Sequence, residues 1–86
     1  MCTNINVRTA IAGSAKGPQG WMRIDTANVS YDHPYHAPFD HSLNIDLTNE
    51  GAGGHERVAL ELSAGAARAL VAAIERALAE GEAQMS

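Results

Sequence analysis

The chain has 86 residues, of which 45% are hydrophobic and 5% aromatic, and a formal net charge of −4. This length fits one domain, residues 1–86, at the small end of what can bury an independent core. The acidic balance and the lack of a basic run argue against a nucleic-acid or membrane partner. No stretch has the ~20 apolar residues of a membrane span, and the chain does not open like a signal peptide, so we expect a cytoplasmic protein.

Four segments alternate apolar and polar residues, as β-strands with one wet face do. They cover residues 4–12, 21–32, 41–48 and 56–62. In the second segment the apolar residues change parity near Asp25 and Thr26, which predicts a β-bulge or a break in the strand at these residues. The glycine-rich segments 13–20 and 49–56 are predicted loops, and the first lacks the residue order of a phosphate-binding loop.

After Ser63 the apolar period changes to about 3.6 residues, which predicts an amphipathic helix over 64–80. Ser63 suits its N-cap and Gly81 its end. Because every connection is short, successive strands should pair antiparallel. The predicted fold is therefore α+β: a curved four-stranded antiparallel meander, ββββα, with the C-terminal helix packed on its apolar face. The thin core also predicts a homodimer or higher oligomer.

Three of the four histidines lie in the ten-residue stretch DHPYHAPFDH. The meander places this stretch, Cys2 and the helix N-terminus at one end of the sheet, with His33 and His41 directed toward the rim of the core. Neutral imidazoles suit zinc foremost, and also copper, nickel or iron. We therefore predict that His33, His36 and His41 hold one divalent metal ion. Cys2 is a weaker candidate for a fourth ligand, because its parity places it on the wet face.

Four neighbours of the histidines are candidates for a second shell or pocket. Asp32 and Asp40 each precede a histidine and are possible acceptors for an imidazole N–H, each more readily for a histidine other than its neighbour. Tyr31 and Tyr35 interleave with the histidines as core-rim or loop anchors, or as pocket lining. An open metal position would give Lewis-acid or metal-hydroxide chemistry, and the helix N-terminus favours a small anionic metabolite.

Two other interpretations stay open, because the spacing H-x2-H-x4-H is not one of the strong metal motifs. The loop can line a metal-free pocket for a small polar molecule. It can also be structural, with His33 and His41 capping hairpin ends and His36 solvated. The competing function is then a non-catalytic ligand-binding or oligomeric interaction module. The residues specify neither a reaction nor a metal, so enzyme activity stays undecided.

Three blocks of sequence carry a resemblance to a known group of proteins. They are GSAKGPQGW, DHPYHAPFDHSLNID and RVALELSAGAARALVAAIERAL, of which the middle one is the most specific. On these blocks and its start, MCT, the chain resembles a family of short bacterial proteins of unassigned activity. The resemblance implies a small stand-alone domain. It implies no reaction, so no residue receives a catalytic role from it.

Overall fold

The computed structural model describes residues 5–85. Within this range a four-stranded antiparallel sheet of order β1-β2-β3-β4 is followed by a single helix. The elements are β1 (Ile5–Gly17), β2 (Gly20–Asp32), β3 (Ser42–Thr48), a short 3-10 turn (Glu50–Ala52), β4 (Arg57–Leu62) and α1 (Ala64–Met85). The predicted α+β meander of order ββββα is confirmed. No helix in this part of the chain is both long and apolar enough to cross a membrane.

The first hairpin is longer than the sequence pattern predicts. Residues 13–17, predicted as loop, continue β1 and pair with the first half of β2. Only Pro18 and Gln19 remain as the turn between the paired residues Gly17 and Gly20. Pro18 fixes φ at the first turn position, and Gly20 adopts a φ of 110°, which a residue with a side chain rarely does. Ladder hydrogen bonds thus outweigh the weak strand propensity of glycine in this segment.

A β-bulge interrupts this hairpin at the predicted level. The register shifts between the pairs Ala10–Thr26 and Gly13–Ile24, so two residues of β1 face Asp25 alone. The extra residue therefore belongs to β1 rather than to β2. The Asp25 carboxylate accepts the backbone N–H of Glu50 at 2.8 Å and that of Gly51 at 3.0 Å. These bonds, that of Gly51 foremost, lower the pKa of Asp25 and tie the 3-10 turn to the bulge.

The sheet has one apolar and one polar face, because directly paired residues point to the same side. We call the first the apolar face; it carries Ile5, Val7, Val29, Tyr31, Leu43, Ile45, Leu47, Val58, Leu60 and Leu62. We call the opposite side the polar face; it carries Arg8, Asn28, Ser30, Asn44, Asp46, Arg57, Ala59 and Glu61. The alternation predicted for the third and fourth strands is therefore confirmed, and the apolar residues of the two strands pair with each other.

Helix α1 begins beside the apolar face but covers little of it. Ala64, Ala67 and Arg68, in its first two turns, border a hollow together with Tyr31 and Leu43 of the sheet. No described residue of α1 is buried. The predicted packing of the helix on the apolar face is thus limited to its beginning.

The helix also continues past Gly81, the residue predicted to end it. Gly81 has a negative φ and keeps the right-handed helical backbone. A glycine in a helix costs only about 1 kcal/mol relative to alanine. That cost does not end a helix whose neighbouring residues are alanine and glutamate, and α1 extends to Met85.

We expect Ser63→Ala to lower the free energy of unfolding by about 1 kcal/mol. The Ser63 hydroxyl accepts the Ala66 backbone N–H at 3.1 Å, which is the predicted N-cap bond. Urea denaturation followed by circular dichroism measures the change. Ser63→Thr keeps the acceptor and serves as the control. A denaturation midpoint that is the same for the alanine variant and the wild type would show that this cap contributes nothing.

Candidate functional site

The segment 33–41, here called the histidine loop, is fastened to the polar face by one carboxylate. Glu61 of β4 accepts the backbone N–H groups of three successive loop residues. The bond from His36 measures 2.9 Å and that from Ala37 2.8 Å, and Tyr35 donates the third. Three amides converging on one anion form a strong local anchor. The loop therefore bends back over the polar face.

Sequence reasoning did not identify Glu61 as a site residue. It lies on the wet face of the fourth strand, where a solvated glutamate is ordinary, and the residues it binds are 24 to 26 positions away. The amides that it accepts belong to the backbone, so no side-chain motif marks the interaction. The Ala37 and Tyr35 amides, in that order, hold the pKa of Glu61 below its ordinary value, and burial opposes them.

We expect the protein to lose stability in acid through Glu61 and Asp25. Both pKa values are lowered in the folded state, from ordinary values of 4.5 and 3.8. Their contributions are therefore complete above those ordinary values and disappear as the pH falls through the folded-state values. Thermal melting at fixed protein concentration should give a constant melting temperature from pH 7 to about pH 5 and a decline below it.

The control for this pH dependence is a pair of isosteric variants. Glu61→Gln should melt at a lower temperature than the wild type at pH 7 and show a shallower acid decline. Asp40→Asn, which changes a carboxylate on the same loop, should keep the wild-type profile. An unchanged acid slope in Glu61→Gln would refute a role for this carboxylate.

Two of the three histidines form a stack with a tyrosine. The ring centroids of Tyr31 and His41 are 5.8 Å apart, and those of His41 and His33 are 5.1 Å apart, with interplanar angles of 14° and 24°. The lone pair of an imidazole nitrogen lies in the plane of its ring. Rings that are close to parallel direct their lone pairs side by side, not toward one shared ion. The stack therefore orders the loop rather than forming a chelate.

The ring of His33 is further fixed by a backbone acceptor. Its Nδ1 lies 3.0 Å from the carbonyl oxygen of Asp40. A carbonyl only accepts, so Nδ1 carries the proton and the neutral ring has its free lone pair on Nε2. Asp40 thus accepts an imidazole N–H from a histidine other than its neighbour, though through its backbone carbonyl, whereas the Asp32 carboxylate accepts the backbone N–H of its neighbour His33 at 2.7 Å.

His33 and His41 are predicted to point toward the core rim, but both are exposed, as is His36. His41 stacks on Tyr31 of the apolar face, whereas His33 follows the end of β2 at Asp32 and lines the cleft on the polar face. The side chain of Tyr35 is also fully exposed. Of the two predicted aromatic neighbours, only Tyr31 thus contacts a histidine ring among those described.

The described residues do not gather a metal-ligand set. Between residues 5 and 85, no group of three His, Cys, Asp or Glu side chains is placed to hold a metal ion. Cys2, the predicted weaker ligand, lies outside the described residues. His33 and His36 nevertheless line the same cleft, and the metal site stays a prediction.

A cleft of about 670 Å³ lies between the histidine loop and the polar face. Its lining residues are Ser30, His33, Tyr35, His36, Ala37, Asn44, Asp46, Arg57, Ala59, Leu60 and Glu61. Asn44 and Asp46 of β3 pair with Glu61 and Ala59 of β4 in its floor. The alanine leaves space beneath the loop that a larger side chain would fill.

The Asp46 side chain, in this floor, has an oxygen without a hydrogen-bond partner. Its Oδ1 is buried and receives no hydrogen bond from any residue in the described range. The Nη1 atom of Arg57 lies 3.6 Å away, an ion pair beyond hydrogen-bond distance. By contrast, the neighbouring Asn44 accepts the hydroxyl of Ser42 at 2.6 Å. Asp46 therefore has one oxygen that protein donors do not satisfy, on a side chain that is 35% exposed.

An open antiparallel meander with a polar cleft on one face and a helix beside the other defines a small single-domain α+β protein. The chain belongs to DUF6295, a family of unknown function, whose model matches residues 1–86. The expected membership in a family without assigned activity is thereby confirmed. A search of curated proteins found no match, and neither did a search of solved structures. The family assigns no role to any residue, so function has to be argued from the cleft.

Proposed function

We propose that the protein is a non-catalytic binding module whose cleft takes a small polar ligand that carries hydrogen-bond donors, such as an ammonium or hydroxyl group. The observation that carries this proposal is the buried Oδ1 of Asp46, which lacks a protein donor at the floor of the cleft. An unsatisfied buried acceptor costs about 1–3 kcal/mol. A ligand N–H or O–H at this position recovers that cost on binding.

The other cleft groups fit a ligand of mixed polarity. The side chains of Ser30 and Asn44 and the free Nε2 of His33 offer both donors and acceptors. Glu61 already accepts three loop amides, so it positions the loop instead of competing for the ligand. The cleft is thus formed only while the loop is held, which links the Glu61 anchor to binding.

Binding is tested by titrating the full-length protein with ethanolamine, with glycerol and with acetate, followed by amide resonances in NMR. Ethanolamine and glycerol offer donors, whereas acetate offers none. We expect saturable shifts at Asp46 and Ala59 with the donor probes and none with acetate. Asp46→Asn should weaken ethanolamine binding at least tenfold, because it removes the charge, while Asp40→Asn should not. The proposal would be overturned if neither ethanolamine nor glycerol bound saturably. It would also be overturned if Asp46→Asn bound ethanolamine as tightly as the wild type does.

A second candidate function is a divalent-metal protein, with zinc foremost, in which His33 and His36 supply ligands. It is favoured by the bond from His33 Nδ1 to a backbone carbonyl, since metal-bound imidazoles are held in this way. A bound ion would supply the Lewis-acid or metal-hydroxide chemistry expected for a small anionic metabolite. In this case the His41 ring, stacked on His33, would orient that ligand.

Metal content of untagged, full-length protein tests this second candidate, because affinity-tag histidines would obscure the result. Stoichiometric metal that disappears when both His33 and His36 are changed to alanine would support it. His55→Ala, in the turn between β3 and β4, is the matched control and should keep the metal. Metal-free protein whose melting temperature is unchanged by a chelator would contradict it.

A further inference from the structure

Many apolar side chains of the sheet and of α1 are exposed. On the sheet, Val7 is 59% exposed and Leu60 40% exposed. On α1, the side chains of Val71, Ile74 and Leu78 are each at least half exposed. These three lie on one stripe of the helix, since they are spaced three and four residues apart. Large apolar side chains exposed in this number are typical of a surface that binds a partner.

The interior of the chain is correspondingly small. Among the described residues, the buried hydrophobic side chains are Ile24 and Ala27 alone. Serine and threonine account for the other buried residues, Thr26, Ser42 and Thr48. A chain that is 45% hydrophobic thus places most of its apolar side chains outside its own core. A single copy of the chain therefore leaves most of its apolar side chains exposed to solvent.

The accessible surface of the chain indicates how much area a partner would cover. The chain exposes 6588 Å². A folded monomer of 9.1 kDa is expected to expose about 4,900 Å², so the excess is about 1,700 Å². A standard interface removes about 800 Å² from each partner, and obligate dimers remove more. The excess therefore matches what an obligate dimer buries per subunit.

We propose that a second copy of this chain covers the apolar face and the stripe of α1, forming a two-fold symmetric dimer. The three stripe residues carry no charge, and Arg68 and Glu75 flank them three or four residues from Val71. Arg76 and Glu80 pair with each other at 3.5 Å elsewhere on the helix. The partner surface that fits the stripe itself is therefore apolar. The chain's own apolar face does so, and a two-fold axis brings identical patches together.

This interface leaves the candidate site free. The cleft and its Asp46 lie on the polar face, whereas the proposed interface lies on the opposite side of the same sheet; of the residues that line the cleft, Leu60 alone belongs to the apolar face. Dimerisation would thus stabilise β3 and β4, which supply the cleft floor, without covering it. The proposal does not depend on the ligand-binding function and can fail separately from it.

The dimer is tested by the mass of the full-length protein in solution, using light scattering coupled to size-exclusion chromatography. We expect twice the 9.1 kDa of one chain at micromolar concentration. Ile74→Glu places a charge in the middle of the stripe and should raise the dissociation constant at least a hundredfold, giving monomer. Ala72→Glu adds the same charge on the opposite side of α1 and should remain dimeric. A folded wild-type monomer at tens of micromolar would overturn the proposal.

A second measurement uses only the wild-type chain, in case Ile74→Glu does not fold. Isotope-filtered NMR on a mixture of labelled and unlabelled protein detects contacts between two copies. We expect intermolecular contacts at the methyl groups of Val71, Ile74 and Leu78. A dimer that lacks them, or one that Ile74→Glu leaves intact, would place the interface elsewhere and refute the assignment.

Discussion

Replacing Ile24 by alanine is expected to lower the free energy of unfolding by about 3 kcal/mol. Ile24 is the larger of the two buried hydrophobic side chains in the described range. It pairs with Gly13 next to the β-bulge, and this glycine has no side chain that could fill the space left by a shorter residue. In a small domain this loss is a large share of the total stability.

Urea denaturation at fixed protein concentration measures the effect of this substitution. Ile24→Val removes one methylene and should cost about 1 kcal/mol, which gives a graded control. Equal destabilisation by valine and alanine, or a loss well below 1 kcal/mol for alanine, would show that Ile24 does not belong to the core.

Replacing Glu61 by alanine is expected to release the histidine loop. Three backbone N–H groups, those of Tyr35, His36 and Ala37, then lose their common acceptor. Hydrogen exchange should become nearly as fast at these amides as in an unfolded chain, while the sheet amides stay protected. The melting temperature should fall by several degrees, because loop amides and ring stack lose their fixed positions.

Glu56→Ala is the matched control for the loop. It removes an exposed glutamate that lies just before β4, and it should leave exchange in the histidine loop unchanged. Glu61→Gln keeps one acceptor oxygen and should give intermediate exchange rates. If the three loop amides exchange equally fast in the wild type and in Glu61→Ala, the carboxylate is not the anchor.

Local sequence pattern was sufficient for the strands and for their order. Period-two alternation in β3 and β4 reports a sheet with one wet face, and short connections leave few ways to pair the strands. The change of parity near Asp25 revealed the bulge, but it did not show which strand holds the extra residue. The course of residues 13–17 was missed because glycine weakens the strand signal while ladder pairing still forms the strand.

The candidate site was predictable only in part. The clustering of histidines in the sequence indicated that their rings lie close together, and the rings of His33 and His41 are in contact. The nine residues 33–41 connect two paired strands, so both ends of the loop are close to each other. The direction of the loop was not predictable, because it depends on Glu61, far away in the chain. The alternation of faces holds only up to Asp32, where β2 ends, so it does not extend to His33. His33 lines the cleft on the polar face instead of the apolar face predicted from the alternation. The sequence carries no signal for Asp46, because an aspartate on the wet side of a strand is ordinary and the pattern does not show that the loop lies above it.

The central claim is that Glu61 holds the histidine loop over Asp46 and thereby forms a binding cleft. The most direct test is an ethanolamine titration of the wild type beside Glu61→Ala, followed by the amides of Asp46 in the floor and Ala37 in the loop. We expect one dissociation constant at both positions in the wild type and at least tenfold weaker binding in the variant. Equal binding by the two proteins would contradict the claim.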